Sequence, residues 1–259
     1  MCEEEKSNVN SRLIEWLNRH GYSLEMKLGK RMNEANYFTR NSAYYIDQDT
    51  NKFREIDVIA QYKEITGFLN ISFVFECKSS KSNPYVLFTS ADTLNYRNKL
   101  FSFSYNSDSS KGILLEKGDE IESIPWLNKE GRVGYNFVQG FKDNQSDTYQ
   151  AVTGVLKASK YILDSIKYPD AYNFVFPIIL VEGELFECYL DENNEARFET
   201  IQRGFLLEDI SIENSYSPCI LVMKFDFLDS FLEEAYELTE KLSNLTKSKI
   251  KSKLMNIKI

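Results

Sequence analysis

Two apolar runs in residues 53–81 constrain the fold of this chain more than any other stretch. The runs are Phe53–Tyr62 and Phe68–Cys77, both rich in β-branched and aromatic residues, and a hydrophilic segment with a Thr-Gly step separates them. This pattern predicts a strand, a turn and a second strand. We therefore expect a sheet that contains this pair of strands.

Both predicted strands carry an acidic residue where a buried strand ordinarily has none. Asp57 lies in the middle of the first run, and Glu76 lies at the end of the second. If the runs pair antiparallel, Asp57 comes near Glu76. Because side chains alternate across a strand, Lys78 then projects to the same face as Glu76, while Cys77 turns to the other. Two carboxylates and an ammonium group converge at one edge of the predicted sheet.

This convergence favours a metal site. Adjacent buried carboxylates repel each other, and leaving them bare costs several kcal/mol. A divalent cation removes the cost, and oxygen-only ligands favour Mg²⁺ or Mn²⁺ over Zn²⁺. Mg²⁺ also accepts phosphate oxygens, so the pattern indicates metal-assisted phosphodiester hydrolysis, with Lys78 beside the attacking water or the scissile phosphate.

A plainer interpretation is a solvated strand face. The Glu-x-Lys pattern is common in a charged chain, and it also occurs at residues 4–6 and 25–27. Only the copy at Glu76 ends a strongly apolar strand, and only that copy follows an apolar strand with a central aspartate.

The sequence around these residues resembles the PD-(D/E)XK, or restriction-endonuclease-like, nuclease superfamily. Arg54–Ala60 is similar to the strand that carries the first acidic residue in that family, and Phe75–Ser80 is similar to its Glu-x-Lys strand. Ile56 stands where the name-giving proline would be. The resemblance covers about the first ninety residues well and the rest in outline.

The resemblance implies an α/β fold and a specific activity. The expected core is αβββαβ, with a mixed central sheet flanked by helices. Asp57, Glu76 and Lys78 would be catalytic, and Asp57, Glu76 and the Cys77 carbonyl would bind Mg²⁺ or Mn²⁺. The implied protein is a nuclease that hydrolyses phosphodiester bonds in DNA by a metal-activated water. The alternative is a catalytically inactive member of the same fold that binds nucleic acid or a protein partner. A third interpretation is a structural protein in which these residues form a buried ion network.

Length and composition favour one domain. With 259 residues, of which 42% are hydrophobic, the chain can bury one substantial core. We expect a single domain over residues 1–259, with an insertion at about 85–143 and a C-terminal helix at about 229–257. Basic and aromatic residues of the insertion either contact nucleic acid or pack against the core: Arg97, Lys99, Phe101, Tyr105 and Lys111.

Charge and cysteine content narrow the function classes. A net charge of −8 argues against broad non-specific binding of nucleic acid, although a local basic groove is compatible with it. The sole histidine, His20, disfavours a histidine-dependent mechanism. No apolar run is long enough to span a membrane, the first residues do not resemble a signal peptide, and the four cysteines have neither disulfide-framework nor zinc spacing. These features predict a cytoplasmic protein.

Periodicity predicts the remaining elements. The predicted helices are Asn8–His20, Ser146–Leu163 and Asp229–Asn256. The predicted further strands are Tyr22–Leu28, Ser42–Asp47, Asn173–Val181, Leu185–Leu190, Arg197–Ile201 and Cys219–Phe227. The basic end of the terminal helix is either a phosphate-binding arm, a homodimer contact or a frayed, solvated terminus.

Two further features are typical of the superfamily. Many members add a metal-binding glutamate from the first helix. Glu15 is the candidate here, but it points nearly opposite the apolar stripe of its helix, so its participation stays open. Some members carry a Gln-x-x-x-Tyr motif, and Gln145 and Tyr149 have that spacing at the start of a predicted helix.

Overall fold

The strand–turn–strand of residues 53–81 lies near one end of a mixed β-sheet. The computed structural model describes residues 3–90, 103–121, 123–125, 127, 132–166, 168, 170–207 and 218–256. In these residues the fold is α/β, with one large mixed sheet flanked by helices. The helices are α1 (Glu3–Arg19), α2 (Tyr22–Glu34), α3 (Asp108–Lys117), α4 (Ser146–Asp164) and α5 (Leu228–Asn256).

Eleven strands of the described residues join this sheet. They are β1 (Phe38–Asp47), β2 (Lys52–Lys63), β3 (Leu69–Ser79), β4 (Tyr85–Ser90), β5 (Tyr105–Asn106), β6 (Val133–Gln139), β7 (Tyr172–Glu182), β8 (Leu185–Leu190), β9 (Ala196–Thr200), β10 (Arg203–Leu206) and β11 (Ile220–Lys224). Their order is β1-β2-β3-β7-β11-β10-β6-β4-β8-β9, and β5 pairs with β7.

The first three strands form an antiparallel meander, and β7 then lies parallel to β3. Strand β11 adds to the other edge of β7, also in parallel. Strand β7 is consequently covered by neighbours on both edges and by helices on both faces. This position explains its continuous apolar sequence, because both of its side-chain rows are buried.

Helices pack on both faces of the sheet. On one face, α2 and α5 bury Leu28 and Phe231 against Phe73 and Phe176. On the other face, α4 buries Val155 and its apolar neighbours. The ring of Phe73 stacks on Phe176 at 5.4 Å and meets Phe231 edge-on at 5.6 Å. This aromatic cluster joins the first three strands to the terminal helix.

The predicted strand Tyr22–Leu28 is wrong, because this segment belongs to helix α2. Every second residue in the segment is apolar, which suggested a strand. However, Met26 is 60% exposed, whereas Leu24, Leu28 and Met32 are fully buried. Buried residues spaced by four lie on one face of a helix, so the helical period describes the segment correctly.

The expected insertion at about 85–143 contributes to the sheet itself. Its described parts supply strands β4, β5 and β6 and helix α3. Tyr105 is buried and Lys111 pairs with Asp108, whereas Arg97, Lys99 and Phe101 lie outside the described residues.

The basic end of the terminal helix packs against the body of the protein. Ile250 is buried, Lys249 pairs with Glu116 of α3, and Lys253 lies 4.6 Å from the ring of Tyr172. The expectation of a frayed end is therefore wrong for residues up to Asn256. A homodimer contact through this helix stays a prediction. None of the helices in the described ranges is long and apolar enough to cross a membrane.

Truncating Phe73 tests this architecture. We expect Phe73→Ala to lower the free energy of unfolding by about 3–5 kcal/mol, because it leaves a cavity among buried rings. The matched control is Phe198→Ala on β9, where the ring is 60% exposed and the loss should stay within about 0.5 kcal/mol. Urea unfolding measures both. Equal effects of the two substitutions would contradict the packing described.

Candidate active site

The candidate site lies where strands β2 and β3 separate. Their antiparallel ladder ends at the pair Val58 and Phe75, although both strands continue beyond it. In the same register, Asp57 faces Glu76 just outside the ladder. We call this place the fork and define it by Asp57, Glu76, Cys77 and Lys78.

Asp57 connects the two strands at the fork. Its Oδ2 accepts a hydrogen bond of 2.7 Å from the backbone N–H of Cys77. On the same side of β3, Lys78 Nζ lies 3.5 Å from Glu76 Oε2. The side chain of Lys78 is 25% exposed and that of Glu76 is 11% exposed. The structure thus brings together the three residues that the sequence predicts as catalytic.

Helix α4 leaves room for the Glu76 carboxyl group. A Cβ atom at Gly154 would lie 3.1 Å from Glu76 Oε1, which is tighter than ordinary contact. A larger residue at position 154 would therefore require the carboxyl group to shift by a few tenths of an ångström.

Burial raises the pKa of both acidic groups at the fork. Burial first, and then the negative charge of Asp57, raises the pKa of Glu76 to about 8. Burial also raises the pKa of Asp57, although the Cys77 N–H and Lys78 act in the opposite direction. A hydrogen bond between the two carboxyl groups raises the pKa of Glu76 and lowers that of Asp57, which favours a proton on Glu76. A retained proton reduces the repulsion between the carboxyl groups of Asp57 and Glu76.

A third acidic residue, which sequence reasoning missed, acts on the same site. Glu25 of α2 is half-buried, and burial together with the charges of Asp57 and Glu55 raises its pKa to about 7, while Lys78 opposes the shift. In the sequence alone, the Glu-x-Lys pattern at residues 25–27 is typical of a solvated face. The helical spacing of the buried leucines beside Glu25 was the available signal. Glu15 is exposed on α1.

The side chain of Gln145 serves a structural role away from the fork. Its amide bonds to the backbone of Gln139 and Lys142, and Tyr149 is 64% exposed. The Gln-x-x-x-Tyr spacing therefore does not bring a ligand to the carboxyl pair. At Cys77, burial and the neighbouring carboxylates raise the pKa of the thiol, and the role of its carbonyl as a ligand stays a prediction.

The oxygen donors at the fork fit a hard divalent cation. Asp57 and Glu76 would hold it, with Glu25 nearby, and the raised pKa values show that acidic groups crowd this place with Lys78 as their positive neighbour. Among the described residues, no three or more Asp, Glu, His or Cys side chains already converge in metal-binding geometry. The raised pKa values of Asp57 and Glu76 therefore favour a retained proton on this carboxyl pair, and the described residues do not form a three-ligand cage.

No family model, curated protein or solved structure matches this chain. The geometry and electrostatics of the fork are therefore the basis for inferring its chemistry.

The raised pKa values predict how stability depends on pH without metal. The folded pKa values of Glu76 (about 8) and Glu25 (about 7) lie above the ordinary 4.5, so the folded protein holds protons that the unfolded chain releases. The stability they contribute is fully present below the ordinary pKa and is lost as pH rises through the folded values. In EDTA, we expect the free energy of unfolding to fall between about pH 6 and about pH 9.

Urea unfolding at stepped pH values measures this dependence. Glu76→Gln should flatten it, because the substituted amide does not titrate, whereas the exposed Glu15→Gln serves as the control and should leave it unchanged. A free energy of unfolding that stays level or rises over this interval in the unsubstituted protein would contradict the protonated pair.

Proposed function

We propose that this chain is a metal-dependent nuclease that hydrolyses phosphodiester bonds in DNA, built on a restriction-endonuclease-like core. The observation that carries the proposal is the convergence of Asp57, Glu76 and Lys78 at one fork between two strands. Because the site is lined by oxygen donors and one ammonium group, it suits a cation and a phosphate better than it suits an uncharged substrate.

The order of elements supports the proposed core. Helix α2 precedes the antiparallel meander β1–β2–β3, and α4 then leads into β7, which lies parallel to β3. This sequence of elements agrees with the αβββαβ arrangement that the resemblance implies, with β4, β5, β6 and α3 inserted between β3 and α4. The choice of DNA as the substrate is based on the resemblance to the PD-(D/E)XK superfamily.

Each residue of the fork has a role in the proposed reaction. Asp57 and Glu76 would hold Mg²⁺ or Mn²⁺, which when bound supplies Lewis acidity toward water and the phosphodiester. Lys78 places a positive charge where negative charge develops on the phosphate. The Cys77 N–H fixes the orientation of Asp57 by donating to its carboxylate. Glu25 adds a further oxygen donor or proton acceptor beside the pair.

The second candidate is an inactive member of this fold that binds nucleic acid or a protein partner. The observation that favours it is that the fork is satisfied without a cation, since Glu76 contacts Lys78 and shares a hydrogen bond with Asp57. A purely structural ion network would have the same contacts. Cleavage assays distinguish these candidates from the nuclease.

The test incubates the purified protein with linear, circular and single-stranded DNA in Mn²⁺, Mg²⁺ or EDTA. We expect cleavage that requires the metal, and we expect Lys78→Ala to lower turnover by about 10²- to 10³-fold, because it removes stabilisation that matters most in the transition state. Binding of DNA by the same variant should weaken only by about one phosphate contact.

Lys160→Ala is the matched control. Lys160 pairs with Asp164 one turn along α4, so its loss should leave turnover unchanged. DNA binding without cleavage under either metal would favour the inactive binder. Cleavage that survives Lys78→Ala undiminished would refute the proposed site.

A further inference from the structure

Phe141 is exposed in a backbone conformation that disfavours a bulky side chain. It follows strand β6, its φ is 57°, and its side chain is 90% exposed. The left-handed region places Cβ against the following carbonyl oxygen, so residues other than glycine, asparagine and aspartate are uncommon there. The remaining positive-φ residues other than glycine in the described ranges are all Asn or Ser: Asn36, Ser42, Asn51 and Asn194.

The loop that carries Phe141 is held by side-chain and backbone hydrogen bonds. We call residues 140–145 the clamped loop. Gln145 Oε1 accepts from the N–H of Gln139 at 2.8 Å, and Gln145 Nε2 donates to the carbonyls of Gln139 and Lys142 at 2.9 and 2.5 Å. The N–H of Gly140 donates to the Pro84 carbonyl at 2.7 Å. The exposed ring is therefore presented by a loop fixed at both ends.

Backbone contacts link the clamped loop to the segment that follows the fork in the chain. Beyond Lys78, the N–H of Ser80 bonds to the Glu182 carbonyl at 2.9 Å, and after the turn the N–H of Tyr85 bonds to the Glu184 carbonyl at 2.8 Å. Pro84, which precedes Tyr85, holds the loop through Gly140. The loop is thus anchored to the strand that directly follows the fork in the chain.

Charged side chains interact with both the clamped loop and the fork. Lys142 of the clamped loop pairs with Asp147 at 2.6 Å. The hydrogen bond from Lys142 lowers the pKa of Asp147, and the charge of Lys78 lowers it further. Asp147 therefore lies within the field of the fork as well as in contact with the loop.

We propose that Phe141 is a substrate-contacting residue on whose ring an unpaired base of the DNA strand stacks, so that the enzyme prefers single-stranded or frayed DNA. This inference rests on the proposed nuclease function. An aromatic face accepts any base, because every base has a π-face on which it can stack. Because the loop is already fixed, ordering it on binding costs little.

The variant Phe141→Asn separates the contact with DNA from the stability of the fold. Asparagine tolerates the left-handed conformation, so the melting temperature should stay the same or rise. Affinity for single-stranded DNA should fall by roughly 5- to 100-fold, which is the range for loss of one stacked base. The loss should be smaller for blunt duplex DNA, whose bases are already stacked.

Binding is measured by fluorescence anisotropy of labelled single-stranded and blunt duplex oligonucleotides, with Mn²⁺ present and in the Lys78→Ala background to suppress cleavage. Phe141→Trp should keep the affinity, and Phe141→Leu, which is apolar without an aromatic face, should lose it. Phe198→Asn is the matched control, because this ring is also exposed but lies on edge strand β9 at the far end of the sheet.

The outcomes distinguish this inference from the proposed function. Metal-dependent cleavage together with unchanged affinity in Phe141→Asn overturns the stacking contact and leaves the nuclease intact. A lower melting temperature in Phe141→Asn overturns the stacking contact, because it assigns the ring to folding. A change in oligomeric state with DNA affinity unchanged also overturns it, because it assigns the ring to a protein contact. Failure of the unsubstituted protein to bind or cleave any DNA overturns both proposals.

Discussion

The hydrogen bond from the Cys77 N–H to Asp57 Oδ2, at 2.7 Å, is the contact on which the candidate site depends. At the fork, the ladder between β2 and β3 has ended, so this N–H has no backbone acceptor on β2 within the ladder. A buried N–H without an acceptor is costly, and a carboxylate is a strong acceptor. The same bond fixes Asp57 beside Glu76, where burial raises the pKa of both groups and the charge of Asp57 raises that of Glu76 further. The geometry of the strands thus creates the electrostatic strain that a cation would relieve.

Neighbouring residues hold the side chains of the fork in position. Gly154 leaves space for the Glu76 carboxyl group on one side. Past the end of β3, Gly183 has a φ of 143°, and a Cβ there would lie 2.5 Å from the Ser80 carbonyl oxygen, so only glycine allows this close approach. On the other face, Asn41 donates to the Glu25 carbonyl at 3.3 Å and lies against Gly29, which seats α2 over the meander. Small residues and local hydrogen bonds position the acidic groups that burial then perturbs.

Sequence reasoning predicted the local part of this arrangement well. The runs around Asp57 and Glu76, the amphipathic helix α4 and the buried strand β7 each have a strong pattern of their own, and the antiparallel register followed from two strands joined by a turn. The pairing of β4 with β6 and β8 joins distant segments that carry no such signal, so the sequence did not predict that the inserted segment joins the sheet. Glu25 was missed although the leucines beside it have helical spacing, because its place near the fork arises from packing of α2. The positive φ of Phe141 is likewise invisible in a sequence.

The most direct test of the central claim is calorimetric titration of the metal-free protein with Mn²⁺ near neutral pH, in two buffers of different ionisation enthalpy. Since the pKa of Glu76 is raised to about 8 and that of the neighbouring Glu25 to about 7, a cation held by Asp57 and Glu76 must displace protons. The account predicts that the apparent enthalpy changes with the buffer and that Asp57→Asn abolishes binding. Mn²⁺ binding that releases no protons, or that persists unchanged in Asp57→Asn, would place the ion elsewhere and contradict the site.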